Sequence, residues 1–143
     1  MNVLILCTGN SARSIMAEAI FNRLGKGDIN AYSAGSKPTG MPNPFAIRLL
    51  KSKGYDVSGY NSKSWDVFTE EGAPVMDLVI TVCDNAASET CPVWTTSGGK
   101  QPTKLHWPFI DPAAADGDDH AIAAVFHTVY EQIHDKAAKY LKG

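Results

Sequence analysis

Short apolar runs alternate with segments of helical periodicity along the first part of the chain. Residues 2–6 form a mostly apolar run, which is typical of a strand that is buried on both faces of a sheet. Hydrophobic side chains then recur at helical spacing over residues 15–24, and the glycines at positions 25 and 27 suit the end of a helix. Residues 29–34 are predicted to form a second strand.

The second part of the chain repeats this alternation. Asn43 and Pro44 form a capping residue followed by a proline in the first turn, which predicts a helix that runs to Gly54. The other predicted elements are a short helix near residues 62–68, a strand over 76–82, a polar loop over 95–103, a short strand over 104–109 and a helix over 119–141.

Strands that alternate with helices predict an α/β fold with a mostly parallel sheet, here of four strands, and right-handed connections. No repeat, low-complexity tract or long linker divides the chain, so residues 1–143 are predicted to form one three-layer domain. In such sheets ligands bind beyond the carboxyl ends of the strands. Cys7, Cys83 and Asp111 each follow a predicted strand at that edge, which indicates a functional site there.

The composition is that of a globular protein, with 44% hydrophobic residues, 20% charged residues and a formal net charge of −2. This charge gives no reason to expect binding to nucleic acid or to an anionic membrane, and the apolar runs are too short to span a bilayer. No secretory leader is visible before the first strand, so a cytoplasmic location is expected. Three cysteines, an odd number, argue against a secreted disulfide framework.

The sequence CTGNSARS at residues 7–14 links the first predicted strand to the first predicted helix. A loop that enters a helix N-terminus directs backbone N–H groups and the positive end of the helix dipole at one point, which suits a dianion such as phosphate. Gly9 permits a tight path, and Asn10 tolerates a left-handed backbone conformation. The planar guanidinium of Arg13 is suited to clamping two oxygens at once.

The same positive field would stabilise a thiolate at Cys7, to which the Ser14 hydroxyl can donate a hydrogen bond. A thiolate beneath a bound oxyanion is placed for in-line attack on the central atom. The alternative is a buried structural cysteine beside a surface arginine, but the strand–loop–helix context favours an anion-binding nucleophile site. The predicted oxyanion-binding residues are Thr8, Gly9, Asn10, Ser11, Ala12, Arg13 and Ser14.

The loop sequence followed by MAEA resembles the active-site signature of the low-molecular-weight tyrosine phosphatase fold. The SAG segment at residues 33–35 and the Asp-Pro pair at 111–112 are similar to later segments of that fold, so the resemblance covers nearly the whole chain. It implies a flavodoxin-like sheet topology. It also implies that Cys7 is the nucleophile, Arg13 the oxyanion clamp and Asp111 the general acid.

Phosphate and arsenate have nearly the same shape and charge, so this loop suits either a phosphatase or an arsenate reductase. The segment VCDNAASETCPVW, which contains Cys83 and Cys91, resembles the redox segment of thioredoxin-coupled arsenate reductases, as does HWPFIDP at residues 106–112. This resemblance implies that Cys7 attacks arsenate, that Cys83 then forms a disulfide with Cys7, and that Cys91 displaces Cys7 from that disulfide. Arsenic detoxification is the biological role that it implies.

The resemblance further implies that a thioredoxin-type dithiol, or glutaredoxin instead, reduces the final disulfide, and that phosphate or sulfate binds as an arsenate analogue. The alternative function is that of a phosphatase that hydrolyses phosphomonoesters through a cysteinyl-phosphate on Cys7. A third class is an oxyanion-binding or metal-sensing module without catalysis.

Three features depart from the patterns of these families. Ala12 stands where the phosphatases and some reductases carry a second loop cysteine. The spacing from Cys83 to Cys91 is one residue longer than in the thioredoxin-coupled group, which leaves the reductant open. Residues 113–115 are alanines where the phosphatases typically have tyrosines beside an aromatic substrate, which favours the reductase.

No tightly bound cofactor is predicted. The resemblance to some reductases implies a potassium ion beside the loop at Asn10, Glu18 and Ser33, with no further ligands identified among residues 61–66. A zinc site formed by the cysteines and His106 is disfavoured, because they lack the usual close spacing of zinc ligands.

Three histidines at positions 120, 127 and 134 repeat along the last predicted helix. They fall opposite the apolar face of that helix, and two turns separate each from the next. We therefore expect them to face solvent and not to form a metal site.

Overall fold

A four-stranded parallel sheet forms the centre of the part of the chain that the structure describes. The structure is a computed structural model, and it describes residues 1–70, 72–82 and 102–142. The strands in chain order are β1 (Asn2–Leu6), β2 (Asn30–Ala34), β3 (Leu78–Thr81) and β4 (Thr103–His106).

The strand order across the sheet is β2-β1-β3-β4, and each neighbouring pair is parallel. In register, Leu6 of β1 lies opposite Ala34 of β2 and Thr81 of β3, so the carboxyl ends of the strands meet at one edge. This is the order of the flavodoxin-like doubly wound fold, in which ligands bind at the switch point beside β1. The predicted α/β fold with a four-stranded sheet is confirmed, and the described sheet is wholly parallel.

Helices follow the strands as the sequence predicts. The α-helices of the described residues are α1 (Arg13–Leu24), α2 (Pro44–Ser52) and α3 (Asp119–Lys142), and the short 3₁₀ helices are Trp65–Phe68 and Pro112–Ala114. The predicted cap of α2 is present, because the Asn43 side chain accepts a hydrogen bond of 2.9 Å from the backbone N–H of Phe45.

Several boundaries differ from the sequence prediction. The third strand is shorter than predicted, and the fourth spans Thr103–His106. Trp107, which follows it, is buried in the hydrophobic core, where its ring stacks on Phe21. The helix predicted near residues 62–68 is a single 3₁₀ segment that begins after Ser64, whose hydroxyl caps the Asp66 N–H at 3.1 Å.

The two faces of the sheet bury different sets of side chains. Val3 and Ile5 of β1 join the main core with residues from all three α-helices, while Leu4 and Leu6 point to a smaller cluster that contains Phe68. This alternation is the expected period of two for a strand. The sheet is thus covered on both faces, and its carboxyl edge is left to carry the site.

The long α3 helix presents its apolar face to the core, and the histidines lie on other faces. Phe126, Val129 and Ile133 are buried, whereas the side chain of His127 is 53% exposed. His127 lies 3.5 Å from Glu131, and His134 has a separate acidic neighbour. Among the described residues, no three His, Cys, Asp or Glu side chains are grouped to hold a metal ion.

No helix in residues 1–70, 72–82 and 102–142 combines the length and the apolar character needed to cross a membrane.

Candidate active site

Cys7 lies at the carboxyl end of β1, at the base of an open pocket of about 240 Å³. Its backbone N–H donates to the Ala34 carbonyl of β2 at 3.2 Å, so the sheet ladder extends one residue past the strand and fixes the cysteine. The side chain is buried, with 6% of its surface exposed. The lining residues are Cys7, Gly9, Asn10, Ser11, Ala12, Arg13, Thr39, Asp111 and Ala113.

The pocket opens at the N-terminus of α1. Ala12 occupies the N-cap position and has no side-chain oxygen to satisfy the first N–H groups of the helix, and the first turn contains no acidic residue. These N–H groups and the positive end of the helix dipole are therefore available to an anion. The same potential favours the thiolate form of Cys7.

The backbone of the loop is shaped from its centre by Asn10. This fully buried residue has φ +45°, the left-handed conformation that the sequence predicts at this position. Its side chain donates to the Ser14 hydroxyl at 2.9 Å and accepts from the Lys63 N–H at 2.8 Å. Ser14 is therefore placed under the loop and supports its shape. Because the Ser14 oxygen accepts this bond, its own hydroxyl proton is available for donation to a second acceptor.

Neighbouring segments hold the carbonyl groups of the loop. The Thr8, Gly9 and Ser11 carbonyls accept from the backbone N–H groups of residues 37, 39 and 43 at 3.0, 3.0 and 2.8 Å. In a trans peptide the C=O and the N–H of the next residue point in opposite directions. The N–H groups that follow these carbonyls therefore point away from those segments, which leaves them to line the anion-binding side of the loop.

A glycine after β2 permits this close approach. A Cβ atom at Gly35 would lie 2.3 Å from the carbonyl oxygen of Thr8 and 2.7 Å from that of Cys7. No larger residue fits here without displacing the loop backbone. The glycine of the SAG segment is thus explained by its contact with the loop.

Arg13 is held over the pocket by the segment that contains Asp111. Its Nη1 donates to the Phe109 carbonyl at 2.9 Å, and its Nη2 lies 3.7 Å from Oδ2 of Asp111. The other carboxylate oxygen, Oδ1, accepts from the Ala113 N–H at 3.0 Å and caps the following 3₁₀ helix. One oxygen of Asp111 thus fixes its position while the other lies near the Arg13 guanidinium.

The structure therefore brings Cys7, Arg13 and Asp111 together around one pocket. Cys83 and Cys91 lie outside the described residues. Val82, the residue before Cys83, is described: its backbone N–H donates at 2.9 Å to the carbonyl of Leu6, the residue that precedes Cys7.

Several residues of this site are not marked by any motif in the sequence. Thr39 lines the pocket, and Ser62 donates to the Gly9 carbonyl at 3.1 Å. Thr39 and Ser62 lie in polar segments that carry no catalytic motif. Phe109 acts through its backbone carbonyl, which no side-chain pattern reveals.

Of the predicted potassium ligands, Asn10 belongs to the loop, and Glu18 and Ser33 lie on α1 and β2. Ser33 donates to Oε1 of Glu18 at 2.7 Å, and Nζ of Lys63 lies 3.8 Å from the same oxygen. Burial raises the pKa of Glu18 above its ordinary value, while the Ser33 bond and the Lys63 charge act in the opposite direction.

The family model described as low molecular weight phosphotyrosine protein phosphatase matches residues 2–143. The chain belongs to this family. A protein of Halalkalibacterium halodurans named arsenate reductase is 39% identical over 131 residues, which cover 92% of this chain and 88% of that protein. The resemblance expected from the loop and the Asp-Pro pair is thus confirmed at the level of the family.

Solved structures of two kinds share the fold. An arsenate reductase from Archaeoglobus fulgidus has a TM-score of 0.73 and 27% identity, with 99% of each chain covered. A low molecular weight protein tyrosine phosphatase from T. tengcongensis has a TM-score of 0.71 and 26% identity, covering 99% of this chain and 98% of that one. Fold similarity therefore does not separate the two chemistries.

Replacing Arg13 by lysine is expected to weaken the site strongly while the fold is kept. A lysine ammonium does not reproduce the planar fork that meets two oxygens at once, so kcat/KM for aryl phosphate hydrolysis should fall about 10²–10³-fold. Competitive inhibition by phosphate measures the loss of oxyanion affinity directly. Arg48→Lys, on the exposed side of α2, is the matched control. Unchanged phosphate inhibition in Arg13→Lys would contradict the assignment of the clamp.

Proposed function

We propose that this chain reduces arsenate to arsenite through a thiol relay of Cys7, Cys83 and Cys91, with a thioredoxin-type dithiol as the final reductant. The observation that supports the proposal is that Cys7, Arg13 and Asp111 line one pocket, in a chain that is 39% identical to a protein named arsenate reductase. A thiol relay of this kind operates in a reducing compartment such as the cytoplasm.

In the first step the Cys7 thiolate attacks arsenic in line, and an S–As bond replaces one As–O bond. Arg13 and the loop N–H groups hold the remaining oxygens, and the carboxyl group of Asp111 protonates the oxygen that leaves as water. The placement of Asp111 supports this role, because the residue lines the pocket, Oδ2 lies 3.7 Å from Arg13 and Oδ1 is fixed by the Ala113 N–H.

In the second step the Cys83 thiolate attacks the sulfur of Cys7. A Cys7–Cys83 disulfide forms, the S–As bond breaks, and its electron pair passes to arsenic, which leaves as arsenite. The position of Val82 beside Leu6 supports this step, because it brings the chain to the neighbourhood of Cys7 one residue before Cys83.

In the third step the Cys91 thiolate attacks Cys83, so a Cys83–Cys91 disulfide forms and the Cys7 thiolate is released. An external dithiol then reduces this disulfide and becomes a disulfide itself. The two electrons that arsenate gains therefore come from that dithiol. Thioredoxin is the proposed dithiol, and glutaredoxin is the alternative.

Hydrolysis of an aryl phosphate is the second candidate function, and the Cys7–Arg13–Asp111 arrangement favours it because hydrolysis needs the same three groups. The residues that line the pocket favour arsenate, which is smaller than an aryl phosphate. Ala113 lines the pocket, and none of the described lining residues has an aromatic side chain to stack on a phosphotyrosine ring.

The decisive experiment supplies arsenate together with thioredoxin, its reductase and NADPH, with a parallel assay that uses glutaredoxin and glutathione. We expect arsenate-dependent oxidation of NADPH in at least one of the two systems, with phosphate and sulfate competing as analogues. Absence of this oxidation in both systems, together with strong hydrolysis of an aryl phosphate, would overturn the reductase assignment.

A further inference from the structure

A largely buried carboxylate lies on α1, the helix that follows the oxyanion loop. This residue is Glu18, and 12% of its side chain is exposed. The Ser33 hydroxyl donates to its Oε1 at 2.7 Å. A carboxylate buried in this way is stable in its charged form only when a positive charge accompanies it. The cation beside Glu18 therefore bears on the stability of the loop.

That cation is supplied by the chain itself. Nζ of Lys63 lies 3.8 Å from Oε1 of Glu18, and it donates to the Asn61 carbonyl at 3.2 Å. The Lys63 side chain is 23% exposed, so its ammonium lies close to the surface but is directed inward at the carboxylate. Burial lowers the pKa of Lys63 and the charge of Glu18 opposes that shift.

The backbone of Lys63 contacts the loop as well. Its N–H donates to the side-chain oxygen of Asn10 at 2.8 Å, and its carbonyl accepts from the Gly35 N–H at 2.9 Å. Asn10 is the residue with positive φ at the centre of the loop. Lys63 thus connects the buried Glu18 to the residue that shapes the anion-binding backbone.

Potassium does not fit the ligand set that the resemblance implies. The Asn10 oxygen accepts from the Lys63 N–H and the Ser33 hydroxyl donates to Glu18, and both oxygens keep lone pairs, so charge decides whether a potassium ion fits. An ion bound to Oε1 of Glu18 would lie close to the Lys63 ammonium, and two positive charges at that separation repel. The residues present therefore form a site for an ammonium group and not for a potassium ion.

We propose that the Lys63 ammonium is the resident cation of this site. Lys63 is a positioning residue: its ammonium holds Glu18 and its backbone N–H holds Asn10, so that the loop binds oxyanions without potassium. This inference does not depend on whether the bound oxyanion is arsenate or a phosphate ester, and its test involves no redox step.

The test compares thermal unfolding and phosphate affinity in potassium chloride and in choline chloride of equal ionic strength. For the wild type we expect the same Tm and the same phosphate Kd in both salts. Lys63→Met keeps most of the side-chain length and removes the charge, so in choline chloride its Tm should fall by about 5 °C or more and its phosphate affinity by roughly tenfold. Potassium should restore part of both, because an ion now has room beside Glu18.

Two further variants complete the design. Glu18→Gln/Lys63→Met removes both charges and should be more stable than Lys63→Met and insensitive to potassium. Lys51→Met makes the same change on the exposed part of α2 and should match the wild type.

Two results would overturn the proposal. One is a potassium-specific rise of Tm in the wild type. The other is a double variant that is no more stable than Lys63→Met, and this comparison holds even where Lys63→Met alone fails to fold.

Discussion

Replacing Cys7 by serine is expected to abolish both arsenate-dependent oxidation of NADPH and hydrolysis of an aryl phosphate. A serine hydroxyl is far less acidic than a thiol, so the helix N-terminus that favours a thiolate does not produce an alkoxide at neutral pH. Losing the nucleophile should lower either rate by at least about 10⁴-fold. In the reductase, serine also cannot form the disulfide that releases arsenite.

The fold and the anion site provide the control for this variant. Cysteine and serine side chains have nearly the same shape, and the backbone N–H of residue 7 donates to the Ala34 carbonyl with either side chain. Phosphate should therefore still bind to Cys7→Ser, which calorimetry measures. Retention of either activity would show that another group is the nucleophile, and loss of phosphate binding would show that the substitution had damaged the loop.

The parts of this site that follow from local sequence were predictable. The apolar run over residues 2–6 gives β1, which places Cys7 at the edge of the sheet. The loop needs a left-handed residue, and Asn10 is one of the residue types that adopt this conformation at low cost. Arg13 begins α1 and so necessarily lies near the cysteine. Strand, loop and helix are contiguous in the chain, so the local sequence determines how they are placed relative to one another.

Contacts between distant segments were not predictable in the same way. The Arg13 guanidinium meets a carbonyl that is 96 residues away, and Asn10 meets the backbone of Lys63, which is 53 residues away. The backbone N–H and C=O groups are chemically the same in nearly every residue, so these hydrogen bonds cannot be predicted from residue types. The potassium ligands Asn10, Glu18 and Ser33 were predicted from matching side chains, and that pattern does not include the Lys63 ammonium, which lies 3.8 Å from Oε1 of Glu18.

Replacing Cys83 by serine is expected to separate the two chemistries. The variant should lose arsenate turnover completely, because no thiolate remains to attack the sulfur of Cys7 and break the S–As bond. Hydrolysis of an aryl phosphate should continue at close to the wild-type rate, because a cysteinyl-phosphate is cleaved by water with Asp111 as the acid–base group. The measurement is the ratio of the two activities in the same preparation.

Cys91→Ser is the matched comparison, because it removes the other relay thiol and blocks a later step. In a single turnover without external reductant, Cys91→Ser should release one arsenite per chain and stop as a Cys7–Cys83 disulfide with no titratable thiol, since the chain has three cysteines. The wild type should release one arsenite and keep one thiol, at Cys7. Cys83→Ser should release none.

Arsenite release from Cys83→Ser equal to that of the wild type would remove Cys83 from the relay. Loss of phosphate hydrolysis equal to the loss of arsenate turnover would show that the variant is damaged at the pocket itself.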